Sequence, residues 1–248
     1  MTRHTKLMLA FLAILSLATT SCAKLQARDN LNKGVRAFRE AHYENAVTYF
    51  KEAARLDPEL TDAEVYLGTA YLQQFIPNAN SEENQKNADM AIQTFQNVLK
   101  RQPDNVSAIA GLAYMYQNTS RVQEAREYYL KNTQLSPTDP VPFYAVGSVD
   151  WIIVYNKNNP PPEEEQKKLV DEGLNFLDKA LALNKDYEDA MSYKNLLYRE
   201  KARLSKDEDE KKQLIAQADD WFNKALETRK KLQEQKKSPG GITLDNKK

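Results

Sequence analysis

A small set of residue types returns along this chain at fixed offsets, and that recurrence limits the fold more than any other feature. In residues 27–60 the positions are Gly34, Ala46, Phe50, Ala53 and Pro58. The order comes back as Leu67, Gly68, Tyr71, Ala91, Phe95 and Pro103, then as Leu112, Ala113, Tyr116, Ala125, Tyr129 and Pro137. A fourth passage has Gly147, Gly173, Leu177 and Ala180, and a fifth has Ala190, Tyr198, Ala218, Phe222 and Ala225. Small residues let two helices approach closely, aromatic bulk fills the space between them, and proline ends the second helix. Neither helix of such a pair can bury its apolar stripe alone, so each pair relies on its neighbours.

The spacing of the small residues in the second helices is uneven: Ala46 to Ala91 is 45, then 34, 48 and 45 to Ala125, Gly173 and Ala218. The surplus over 34 corresponds to about three, four and three helical turns, so longer helices and loops keep the buried stripe in phase. Pro77 and Asn78 mark one such loop, with Asn80 or Ser81 as the next cap. Asn158 to Pro162 mark another, and Glu163 to Glu165 suit a helix start, where the dipole favours acids. Ser205 with Glu208 reads as a capping box.

With the ending Ala-Arg-Leu-Asp-Pro at 54–58, the pattern resembles the tetratricopeptide repeat (TPR). The resemblance spans residues 27–232 and implies an all-α, right-handed TPR superhelix of about five helix pairs. The repeats run over about 27–60, 61–105, 106–139, 140–187 and 188–232. Residues 22–26 read as a short linker and 233–248 as a disordered polar tail. Asp150 departs from the pattern, standing where a tyrosine is expected. The phrase from Ala190 to Ala202 and the long inserts resemble exported bacterial TPR lipoproteins, a likeness that brings no defined activity with it.

The first 21 residues read differently. Arg3, His4 and Lys6 precede an apolar run from Leu7 to Leu17, and small polar residues lead to Cys22. This is the layout of an export signal, and the run is too short for a membrane span, which takes about 20 residues. Ala18-Thr19-Thr20-Ser21-Cys22 resembles the lipobox of bacterial lipoproteins, although Thr19 stands where leucine is usual. The resemblance implies cleavage before Cys22, acylation of that cysteine and, with Ala23 next, an outer-membrane address facing the periplasm. The other reading is ordinary cleavage after Ala23. Cys22 is the only cysteine of the chain.

Chemistry is sparse elsewhere. Lysine and arginine balance aspartate and glutamate at 35 each, so nothing selects nucleic acid as a partner. Beyond residue 21 one histidine remains, His42, read as a solvated turn residue. No Cys–His pair, hydrolytic triad, zinc set or glycine-rich phosphate loop can be assembled. The chain is expected to be no enzyme and to use no cofactor, metal or small-molecule substrate.

Function is then expected from surface shape. In TPR proteins the first helices line a concave groove that holds a peptide or helix. The resemblance places there Leu31, Val35 and Phe38, then Val65, Thr69 and Leu72, then Ala110, Tyr114 and Gln117. The later repeats place Tyr144, Ser148 and Trp151, then Ser192, Leu196 and Arg199. The Lys and Asn pair of carboxylate-gripping TPR clamps is missing, because Leu31, Val35, Val65 and Thr69 occupy those positions. A protein-binding scaffold or assembly factor anchored in the cell envelope is the leading expectation. A soluble periplasmic adaptor and a structural spacer are the alternatives.

Overall fold

The computed structural model describes residues 22–237, all organised as helices and short connections, with no strand among them. The proposed signal segment and residues 238–248 lie outside the described residues. Ten helices run in order: α1 (22–39), α2 (Tyr43–Leu56), α3 (Thr61–Gln74), α4 (Glu82–Arg101) and α5 (Val106–Asn118), then α6 (Val122–Leu135), α7 (Pro140–Val154), α8 (Glu163–Leu183), α9 (Glu188–Leu204) and α10 (Glu208–Lys237). Residues 22–26, read above as a linker, belong to α1, and α10 continues through 233–237 of the expected tail.

The first unit reaches Thr119 and holds α1–α5. Its core is built on two phenylalanines, Phe50 on α2 and Phe95 on α4, each almost completely buried. Phe95 is held between two glycines: a methyl on Gly68 of α3 would come within 2.7 Å of the ring, and one on Gly111 of α5 within 2.4 Å. Both helices therefore approach the ring more closely than any side chain would permit. Gly34 meets Phe50 in the same way, and Tyr66 on α3 stacks on that ring at 5.4 Å.

The second unit starts at Ser120 and holds α6–α10. Leu177 on α8 fills the place of those phenylalanines against Gly147 on α7, and Leu197 on α9 packs on Gly173. Phe222 was read above as the matching bulk on α10. It is 46% exposed instead, whereas Ala218 and Ala225 beside it are buried. The reason is position: α4 and α8 each have a helix on both sides, and no described helix covers that side of α10.

Local chemistry sets the helix ends. Ser81, Asn105 and Asp139 accept hydrogen bonds from the backbone N–H groups of Asn84, Ala108 and Val141. Pro162 precedes α8, whose first turn carries Glu163, Glu164 and Glu165. The cap of α10 is Asp207, which accepts from Asp209 N and Glu210 N, while Ser205 Oγ bonds the Glu210 carboxylate. The Ser205–Glu208 box is thus replaced: the helix begins at Glu208, so Asp207 stands at the cap and Ser205 accepts from Asp207 N instead. The 75–81 loop is pinned by Asn84, whose side chain accepts from Ile76 N and donates to the carbonyls of Ile76 and Ala79. Gln166 does similar work for the 155–162 loop, donating to Pro161 O while accepting from Arg203.

A candidate protein-docking face on α7 and α9

Helices α7 and α9 touch, and their seam carries a continuous run of aromatic rings. Tyr144 and Trp151 are seven residues apart, two turns along one face of α7. Tyr193 of α9 stands edge-on to both, with ring centroids 5.6 Å from Tyr144 and 5.7 Å from Trp151. The run continues to Tyr187, 5.0 Å from Tyr144, and to Tyr155, stacked on Trp151 at 4.8 Å. Tyr144, Trp151, Tyr187 and Tyr193 are each half-buried, and Tyr155 is 47% exposed. Edge-to-face and stacked rings contribute about 0.5–1.5 kcal/mol per pair beyond the area they bury, so the run is both rigid and apolar.

The hydroxyls of Tyr144, Tyr187 and Tyr193 stay neutral over the whole physiological range. Burial, then the charges of Asp189 and Asp139, push Tyr187 up to about 12. Burial and Asp189 raise Tyr193, against a hydrogen bond with Tyr144 that pulls it down. Tyr144 is raised further still, first by burial and then by Tyr193 and Asp189. The strip therefore offers apolar ring faces with phenolic donors, bordered by two carboxylates.

The other candidates are placed as follows. Ser148, between Tyr144 and Trp151 on α7, is 4% exposed and donates to Ala145 O, so its hydroxyl is closed to a partner. Arg199 turns away to Asn195 and Asp219, at 2.9 Å and 2.7 Å. Ser192 bonds Glu188, and Leu196 is half-buried. In the first unit Leu31, Val35 and Val65 are half-buried, and Phe38 meets Tyr43 edge-on at 5.3 Å. Thr69 Oγ1 donates to Val65 O, and Tyr114 is 39% exposed on α5. Leu72, Ala110 and Gln117 are half-buried. Exposed Cys22 opens α1.

Tyr193 was missed from the sequence, though a signal existed. It has the same repeat offset as Tyr66 and Gly111, whose contacts are with the ring of the preceding pair. Also missed was Lys194, 3% exposed, whose ammonium lies 3.9 Å from the Trp221 ring centroid and pairs with Asp178. A third cluster surrounds Asp150, which is fully buried: Arg126 Nε lies 2.5 Å from its carboxylate and the same guanidinium reaches Glu172 at 2.5 Å. Burial pushes Asp150 up to about 6, against the pull of Arg126. No group of three or more His, Cys, Asp or Glu among the described residues could hold a metal ion, and no described helix is long and apolar enough to cross a membrane.

Solved structures share this arrangement of helices. A MamA structure from Desulfovibrio magneticus RS-1 aligns with 83% of this chain and 96% of its own, at 18% identity and a TM-score of 0.60. A second MamA crystal structure covers 86% and 97%, at 16% identity and 0.61. YrrB, described as "a TPR protein with an unusual peptide-binding site", covers 81% and 90%, at 15% identity and 0.57. The chain has a TPR-type fold. At such identities the TPR likeness extends to the fold alone. The description "Plant specific mitochondrial import receptor subunit TOM20" matches residues 40–124, within this TPR array. No curated protein matches the chain.

Proposed function

We propose that this chain is a non-catalytic scaffold or assembly factor, lipid-anchored through Cys22 in the bacterial cell envelope, that holds a protein partner against the α7–α9 aromatic strip. The observation that carries this reading is the run Tyr187–Tyr144–Tyr193–Trp151–Tyr155, five rings in mutual contact that keep part of their surface open. Rigid aromatic anchors on a pre-formed surface are where binding energy concentrates. The strip suits the apolar face of an amphipathic helix, and Asp139 and Asp189 favour a basic residue at one end of it. YrrB supports the reading through the peptide-binding site its description names.

A photo-crosslinker in place of Tyr155, introduced into the full chain in cells, tests the docking face. A discrete protein adduct is expected, reduced about 30-fold in affinity by Trp151→Ala, as loss of a central anchor of about 2 kcal/mol requires. Undiminished capture together with a lower melting temperature would make Trp151 a packing residue and move the docking surface elsewhere. Labelling with a radioactive fatty acid tests the anchor separately. Incorporation should be lost in Cys22→Ala; a mature-sized Cys22→Ala product that still fractionates with membrane would refute it, leaving the soluble adaptor or the spacer.

A further inference from the structure

The five second helices share a register. Phe50, Phe95, Tyr129, Leu177 and Phe222 each stand four residues after the small residue of their helix. The first four are 0%, 1%, 8% and 0% exposed; Phe222 is 46% exposed. In α4 the burial comes from both sides, Gly68 of the same pair and Gly111 of the pair that follows. α10 packs on α9 alone, so Phe222 lacks the helix that would close its other side. Ile215 and Leu226, 38% and 46% exposed, lie seven residues before and four after it, on the same face. Together they form an apolar stripe about one side-chain wide on a 30-residue helix, crossed once by Asp219, which is paired with Arg199 of α9.

We infer that this stripe is covered by the α10 helix of a second copy of the chain, packed antiparallel. Charge along α10 decides the occupant. From Glu208 to Asp220 it carries five acids and two lysines, and from Trp221 to Gln235 four bases and two acids. Phe222 sits at the midpoint of the helix. Antiparallel pairing about that midpoint lays the acidic half of each helix beside the basic half of the other, whereas parallel pairing sets like against like. It also brings the two Phe222 rings together at the centre and sets Ile215 of each copy near Leu226 of the other. Such a contact is isologous and closes as a dimer. Head-to-tail stacking of α1 on α10 is disfavoured, because the α1 residue at the offset of Gly111 is Asn32, polar and exposed. The inference stands apart from the anchor and from the aromatic strip, since neither contributes a residue to it.

Sedimentation of the full chain in mild detergent, over a concentration series, reads the oligomeric state. A dimer is expected, with its dissociation constant weakened at least tenfold in both Phe222→Asp and Ile215→Asp while the helical circular dichroism signal stays unchanged. In a Cys22→Ala background, full-chain Phe222→Cys should form a disulfide-linked homodimer on mild oxidation, and Val106→Cys, similarly exposed on α5, should not. A monomeric wild-type chain would overturn the inference, as would a dimer that survives both substitutions. A mixed disulfide from residue 222 to a different protein, in place of the homodimer, would assign the stripe to another partner and overturn it too.

Discussion

Arg126 Nε on α6 stands 2.5 Å from Asp150 Oδ1 on α7, and no part of Asp150 reaches solvent. The pair bridges two helices of the second unit, and Glu172 on α8 holds the other side of the guanidinium. Even so, the carboxyl titrates at about 6, above its ordinary 3.8, because the loss of hydration outweighs the attraction of Arg126. A raised acid pKa means that the folded chain binds the proton more tightly than the unfolded chain. The stabilising contribution of protonated Asp150 is thus full below pH 3.8 and is lost as the pH rises through 6. The first prediction is that Asp150→Asn, measured by denaturant unfolding, melts no lower than the wild type at pH 7.5. It should also remove an increment on the order of 3 kcal/mol from the wild-type change between pH 7 and 4. An Asn variant with an unaltered pH slope would show that Asp150 is ionised throughout.

Arg126→Gln tests the same site from the other side. It leaves the buried carboxylate with no cation, at a cost of about 3–5 kcal/mol near neutral pH. The loss should shrink as the pH is lowered and Asp150 takes up its proton. A penalty independent of pH would assign the effect to lost packing of the arginine stem.

Gly111→Ala should destabilise the first unit by about 1–3 kcal/mol, because the added methyl would lie 2.4 Å from the trapped Phe95 ring. The ring has nowhere to retreat, with Gly68 at its other face. Phe95→Leu in the same chain should return part of the loss, measured as the coupling in a double-mutant unfolding cycle. Additive penalties would mean that residue 111 and the ring do not meet.

Alkaline titration of the tyrosines reads the aromatic strip directly. Of thirteen tyrosines, Tyr144, Tyr187, Tyr193 and Tyr198 are raised above the ordinary value of 10, with burial first among the causes. Tyrosinate absorbance at pH 11 should therefore fall short of the full count and reach it on addition of guanidinium. Since these pKa values are raised in the fold, stability should decline as the pH rises from 10 toward 12. A single transition near 10 that accounts for every tyrosine would mean the rings are open to water.

Asn84→Ala removes three hydrogen bonds that tie the 75–81 loop to the start of α4. Hydrogen exchange should accelerate at Ile76 and Ala79, with a cost of about 1–3 kcal/mol. Unchanged exchange in that loop would show that it is held by its own backbone.

Much of the fold was legible in the sequence because its determinants are local. The close-approach residues, the bulk four positions later and the breaks at Pro58, Pro103 and Pro137 each act within a turn or two, so the helix pairs and the extended inserts could be read directly. The cap at Ser81 and the start of α8 after Pro162 follow from the same short-range chemistry. Tyr144 and Trp151 share a face by periodicity alone.

What required the tertiary structure is who stands opposite whom. Helical spacing assigns a residue to a face but does not say which neighbour meets that face. It therefore pointed to Ser148, which is buried with its hydroxyl bonded to Ala145 O, and passed over Tyr193, which α9 inserts between Tyr144 and Trp151. The Arg126–Asp150–Glu172 cluster joins positions 24 and 46 residues apart, and its cost and its titration depend on burial that no local pattern records. Phe222 carries the same residue type, at the same offset, as Phe50 and Phe95. The sequence by itself determined that this position would be bulky and apolar; only the packing decided that it would be open, because burial needs a second helix and α10 has one on a single side.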